Sequence, residues 1–210
     1  VATPKLHEKE IIRLENNEIK ELIETAETGD GLSERQAKYQ KNTKVRDVAL
    51  ITLFLGTGIR ISELVGLNIE DIFFENNSFI VTRKGGNRTI LYFTDEVKTA
   101  LLEWLKYRET IEGLPEDERA LFVSLQNKRI SVRAVENLVK KYAKIVTPLK
   151  KITPHKLRST FGTKLYRETG DIYIVADYLG HKDINTTKKH YAAVSDDMRK
   201  SAIKTVLLKD

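Results

Sequence analysis

Apolar residues recur along most of the chain at the three- and four-residue spacing of helices that face a core. Ile19, Leu22 and Ile23 make such a face on a helix that Asn16 or Asn17 caps and that runs to about Thr28, where Gly29, Asp30 and Gly31 stop it. A polar stretch, Leu32 to Asn42, separates it from a strongly apolar helix starting near Thr43. The stripe Val48, Ile51, Leu55 of that helix is flanked by Ala49, Leu50, Leu53 and Phe54, which predicts burial all round. Gly56 and Gly58 break it, and a short helical piece carries Arg60 to Val65.

The period then changes. Asp71 to Phe74, Phe79 to Arg83 and Thr89 to Phe93 read as strands joined by turns at Glu75-Asn76-Asn77 and Gly85-Gly86-Asn87, a three-stranded meander. Helical spacing returns over Asp95 to Arg108, Ser131 to Val146, Pro154 to Glu168, Ile172 to Leu179 and about Asp196 to Leu208. With no internal repeat or low-complexity segment, the pattern predicts a mainly α-helical single domain of the α+β class with a small three-stranded antiparallel sheet.

Composition narrows the function classes. The 210 residues are 40% hydrophobic, enough for one substantial core or two small ones, yet no apolar run approaches the roughly 20 residues that span a bilayer. Zero cysteines exclude a disulfide framework, a thiol nucleophile and a cysteine zinc site, and fit a reducing cytosolic setting. Lys and Arg number 36 against 30 Asp and Glu, a net charge of +6 that favours a polyanionic partner such as nucleic acid. Residues 1–15 carry Lys5, Glu8, Lys9, Glu10, Arg13 and Glu15 in place of an apolar secretion signal, and a start at Val1 reads as a piece of a longer protein. Phosphate-binding glycine loops and the H-E-x-x-H zinc motif are missing, no acidic pair stands out as a metal holder, and no cofactor is expected.

The candidate chemistry is cationic. His155 and Arg158 lie one turn apart on a helix that Thr153 caps and Pro154 opens, near the positive end of its dipole, an arrangement suited to phosphate. A surface histidine beside a solvated arginine is the structural alternative. Arg60 precedes Glu63 by one turn, so the carboxylate can hold the guanidinium, as a functional or a plain structural pair. Lys84 lies at a hairpin tip whose Gly85 and Gly86 allow close approach of a ligand, although hairpin lysines commonly only solvate an edge. The Leu179-Gly180-His181 turn and Tyr191 flank a Lys188-Lys189-His190 cluster, where a tyrosine is a nucleophile or a packing residue.

The run Thr57-Gly58-Ile59-Arg60-Ile61-Ser62-Glu63-Leu64, the hairpin Arg83-Lys84-Gly85-Gly86, the box His155-Lys156-Leu157-Arg158-Ser159-Thr160-Phe161, and Leu179-Gly180-His181 followed by Tyr191 occur in an order that resembles the tyrosine recombinases. The similarity is to the catalytic domain of the lambda-integrase-like family, especially integrases of phages and conjugative transposons, over about residues 16–208. Ser159 departs from the second histidine that many members carry there, and residues 1–15 resemble only the end of a linker from an N-terminal core-binding domain, leaving 16–210 as the catalytic domain. The resemblance implies Tyr191 as nucleophile, forming a 3'-phosphotyrosyl link to DNA without ATP or metal. It makes Arg60 and Arg158 the phosphate clamps, Lys84 the general acid, His155 a proton acceptor or phosphate hydrogen bonder, His181 a further donor and Glu63 a support for the site.

A prokaryotic cytoplasmic protein follows from the same resemblance, on the nucleoid when bound to double-stranded DNA. The apolar face Met198, Ala202, Ile203, Val206 and Leu207 would dock a C-terminal helix, about 196–208, onto a neighbour in a homo-tetramer on DNA, with a monomer in free solution; packing on its own domain is the alternative. Two other functions remain open on the residues: type IB topoisomerase-like relaxation, and a noncatalytic DNA-binding protein that holds phosphates without breaking them.

Overall fold

A helix needs its first N–H groups and last carbonyls satisfied, and the chain does this with side chains at several N-termini and with backbone N–H groups, several on glycines, at the C-termini. The computed structural model describes residues 12–205. Packing divides the chain into two units, Arg13–Phe161 and a smaller one containing Gly162–Asp210. Among the described residues there are nine α-helices and one three-stranded sheet.

In the larger unit, α1 (Asn16–Thr28) starts one residue before the expected caps: Glu15 is the N-cap, and its N–H donates 2.7 Å to the Glu18 carboxylate. Leu22, Thr25 and Ala26 are its buried stripe, and Gly29 ends it at φ 79°, a conformation costly for any residue with a Cβ. The next helix, α2 (Glu34–Thr57), begins well before Thr43, within the stretch expected to be a polar connection. Ser33 and Gln36 form its capping box: Gln36 N–H donates to Ser33 Oγ at 3.3 Å and Ser33 N–H to Gln36 Oε1 at 3.0 Å. Its first buried positions are polar. Gln40 donates from Nε2 to the Ala26 carbonyl at 2.9 Å and the Glu27 carbonyl at 3.3 Å, so one buried side chain caps the end of α1. Asp47 is fully buried and accepts from Arg46 Nε and Nη2 at 3.0 and 2.8 Å, from Thr43 Oγ1 at 3.1 Å and from Tyr142 Oη at 2.7 Å. A desolvated carboxylate is tolerable only with such partners. Beyond Asp47 the run Ala49 to Phe54 is buried on every side, as its apolar pattern predicts.

Against α2 pack α1 and α4 (Asp95–Arg108), and α5 (Val132–Val146) packs on α1. Both later helices follow the expected helical spacing, with buried Val97, Ala100, Leu101 and Trp104 on one and Val135, Leu138, Val139 and Tyr142 on the other. After the short α3 (Ile61–Gly66) come β1 (Ile72–Phe73), β2 (Ser78–Thr82) and β3 (Arg88–Tyr92), an antiparallel sheet in the order β1-β2-β3. The pair Phe79 and Leu91 turns inward, whereas Ile80 opposite Ile90, and Tyr92 opposite Ser78, lie on the other face.

Helix α6 (Pro154–Thr169) runs through the division between units. In the smaller unit follow α7 (Ile172–Leu179), α8 (Ile184–His190), which the sequence pattern did not predict, and α9 (Ala192–Ile203), which starts four residues before the expected 196. Asp171 caps α7 by accepting from Tyr173 N–H at 2.8 Å, and Asp183 caps α8 by accepting from Asn185 N–H at 2.9 Å. Val206 and Leu207 lie outside the described residues, as does residue 208.

Candidate active site

Gly58 closes α2 at φ 63°, and its N–H donates to Phe54 O at 2.9 Å. A Cβ there would collide with the Phe161 ring, 2.9 Å from its Cγ and closer still to its Cδ1, so both the backbone angle and the space require glycine. The freed turn aims the Gly58 carbonyl at Arg158, whose Nη1 donates to it at 2.7 Å. Two residues on, Arg60 is the N-cap of α3, and Glu63 in the first turn reaches back to it twice: Arg60 N–H donates to Oε2 at 3.3 Å and Nη1 to Oε1 at 3.1 Å. The Glu63 side chain is 2% exposed and that of Arg60 39%, so a buried carboxylate anchors a guanidinium that still reaches the surface. Arg83 Nε lies 4.0 Å from the same Oε1, tying the end of β2 to this carboxylate.

Lys84 follows at the exposed hairpin tip, with Gly85 and Gly86 at φ 88° and 81° and Arg83 N–H donating to Asn87 O at 2.8 Å. The strands flanking the tip are fixed while the ammonium projects into solvent.

Thr153 caps α6 as expected, its Oγ1 accepting from Lys156 N–H at 3.4 Å. His155 and Arg158 share the first turn and a half, and Arg158 is buried at 6% exposure. Burial, then the positive charges of Lys156, Arg158 and Arg60, holds the His155 imidazole below its ordinary pKa of 6.5. It is therefore largely neutral at pH 7 and able to accept a proton. In the larger unit, then, Arg60, Glu63, His155 and Arg158 belong to one electrostatic neighbourhood.

The smaller unit holds the other two candidates. The end of α7 is closed by Gly180 at φ 69°, and His181 N–H donates to Ala176 O at 2.9 Å. His181 Nδ1 lies 2.5 Å from Thr187 Oγ1, which fixes the ring and directs its other nitrogen away from that contact. Tyr191 N–H donates to the Thr187 carbonyl at 3.0 Å, so this one buried threonine positions both residues. Tyr191 joins α8 to α9 and is 1% exposed. Its ring is parallel to Tyr166 at 6.3 Å between centroids and meets the edge of His190 at 4.7 Å, while Tyr166 and Ser195 hydroxyls are 2.8 Å apart.

Sequence reasoning did not single out Gly162, Tyr166 or Thr187, and gave Arg83 no role beyond its place in the hairpin motif. A glycine inside a helical pattern was the available signal for Gly162. Thr187 gave none, because it belongs to a seven-residue polar helix. Among the described residues no group of three or more His, Cys, Asp or Glu side chains is placed to hold a metal ion, and no helix is long and apolar enough to cross a membrane.

Residues 12–198 match the phage integrase family. The tyrosine recombinase XerC of Thermodesulfovibrio yellowstonii is 39% identical over 151 residues, 70% of this chain and 50% of its own. Tyrosine recombinase XerS of Streptococcus agalactiae is 33% identical over 212 residues, 95% of this chain and 59% of its own. The chain spans about half the length of the curated relatives it matches. Among solved structures, XerA recombinase superposes with a TM-score of 0.75 at 28% identity, covering 91% of this chain and 65% of that one. The Tn1549 transposon integrase in complex with transposon right end DNA shares the fold, with a TM-score of 0.66 at 24% identity over 98% of this chain and 67% of that one.

Proposed function

Because the chain belongs to the phage integrase family, we propose that residues 16–210 are the catalytic part of a site-specific tyrosine recombinase, acting on double-stranded DNA. The observation that carries this reading is the fixing of two guanidiniums from distant motifs, Arg60 by Glu63 and Arg158 by the Gly58 carbonyl. Arginines held as rigid forks match the nonbridging oxygens of a phosphodiester and stabilise the charge that grows on them during displacement.

In the proposed reaction the Tyr191 oxygen attacks phosphorus and its proton passes to His155, which is neutral at pH 7 for the reasons given above. A phosphotyrosyl bond forms to the 3' end, the bond to the 5' oxygen breaks, and that oxygen leaves with a proton from Lys84. His181, held by Thr187, donates a hydrogen bond to the phosphate. The bond energy stays in the phosphotyrosyl link, so attack by a 5' hydroxyl on it reverses the sequence and rejoins a strand.

The chain is proposed to be monomeric in solution and to assemble as a tetramer on DNA through its C-terminal helix. In support, α9 buries only Val194 among its described residues, while Ile203 is 69% exposed. Residues 1–15 are read as a linker remnant, and the setting as the cytoplasm, on the nucleoid when bound to DNA.

The test is covalent trapping in EDTA on a library of nicked duplexes whose cleaved ends diffuse away, with Tyr191→Phe alongside. The expected result is a denaturant-resistant protein–DNA adduct that the variant lacks while keeping its DNA affinity. Equal DNA binding with no adduct from either chain would favour a noncatalytic binder.

A further inference from the structure

Gly162 stands in the middle of α6, where glycine is the poorest helix former after proline, and nothing about its backbone angle requires it. Space does. A Cβ built at this position meets the Tyr191 hydroxyl at an impossible separation, the ring Cζ at 2.7 Å and Leu179 Cδ1 at 3.2 Å. One turn further along the helix, Tyr166 lies parallel to the Tyr191 ring, and its hydroxyl is braced by Ser195 on α9. The phenol therefore rests in a slot with a bare helix backbone as floor and Tyr166 as wall, and it is 1% exposed there.

We propose that Gly162 is a positioning residue for Tyr191: the missing side chain sets how deeply the phenol seats and hence where its oxygen stands for attack. The proposal rests on the reading of Tyr191 as nucleophile. A local rule broken in a helix interior is the mark of a site requirement, and the two atoms nearest the vacated space are the tyrosine hydroxyl and its ring carbon, with Leu179 Cδ1 farther off. Adding one methyl must move the Tyr191 oxygen by about 1 Å, a displacement that costs a reaction of this kind about 100-fold in rate.

The test is Gly162→Ala in the whole chain, read by single-turnover adduct formation on the nicked-duplex library, by DNA affinity, and by a thermal double-mutant cycle with Tyr191→Phe. The adduct rate should fall about 100-fold with DNA affinity unchanged within twofold. Because the phenylalanine variant lacks the hydroxyl that meets the new methyl, Gly162→Ala should lower the melting temperature less in that background than in the wild type. Nitration of Tyr191 by tetranitromethane, located by peptide mass, should rise severalfold in Gly162→Ala. A wild-type adduct rate preserved within twofold in Gly162→Ala would overturn the seat while leaving the nucleophile standing. Absence of any wild-type adduct would overturn the nucleophile and the proposal with it.

Discussion

Glu63 makes no use of its charge at the surface; it spends both oxygens on Arg60 and lies near Arg83. Exchanging it for glutamine keeps the shape and removes the charge, at a cost of about 1.5–3 kcal/mol for a charge-assisted hydrogen bond. Glu63→Gln should therefore slow adduct formation by roughly 10- to 100-fold in single turnover, with a smaller change in DNA affinity. On the proposed function, His155 sets the pH response. Its folded pKa lies below 6.5, so the acid limb of a rate that depends on its neutral form should have its midpoint below pH 6.5. The same shift means that the unfolded chain binds its proton first as pH drops. Stability from this residue is thus full above the ordinary value and is lost as pH falls through the folded one. Lys156 is the largest charge acting on it, so Lys156→Gln should move the acid limb of the rate profile upward, toward 6.5. A limb that stays put in the variant would remove His155 from the proton path. These polar positions were legible in the sequence because Gly, Arg and Glu at short spacing imply one another locally. The partnership of Arg158 with Gly58 was not, since nothing local records a bond across 100 residues.

Among the elements, the apolar half of α2, the helices α4 to α7 and the meander were visible in hydrophobic period, but the first turns of α2 were hidden. Its buried positions there are Gln40, Thr43 and Asp47, at proper helical spacing yet all polar, so a search for apolar stripes passes over them. The Ser33 and Gln36 capping box was the one local sign of that start. Helix α8 was hidden for a related reason, since it buries only Thr187. A polar buried stripe makes a prediction of its own. Gln40→Ala would strip two carbonyls at the end of α1 of their donor and should cost about 1–2 kcal/mol. Urea unfolding followed by circular dichroism should show the lower midpoint with an unchanged slope. A midpoint equal to wild type would mean that water replaces the amide there.

At the scale of the molecule, the described part of α9 keeps one buried residue, an Asp196–Lys200 pair at 2.6 Å and an exposed end at Ile203. Removing residues 196–210 leaves Ser195 and its contact with Tyr166 in place. The truncated chain should still form the adduct at a rate within a few-fold of wild type but fail to build higher-order complexes on DNA, as read by native gels and sedimentation. Loss of the adduct together with a collapsed melting transition would show instead that α9 stabilises its own unit.

The bond from Arg158 to the Gly58 carbonyl joins residues 100 positions apart, and this separation has a consequence for the life of the chain before it is complete. A long-range contact can form only once both partners exist and the entropy of closing the loop between them has been offset. A nascent chain that ends short of residue 158 has Arg60 and Glu63 but neither Arg158 nor Tyr191. Proteolytic fragments are in the same position. On the proposed function, the breaking of DNA phosphodiesters is thereby withheld from every incomplete or partly unfolded copy, so quality control of the fold and safety toward DNA become one requirement.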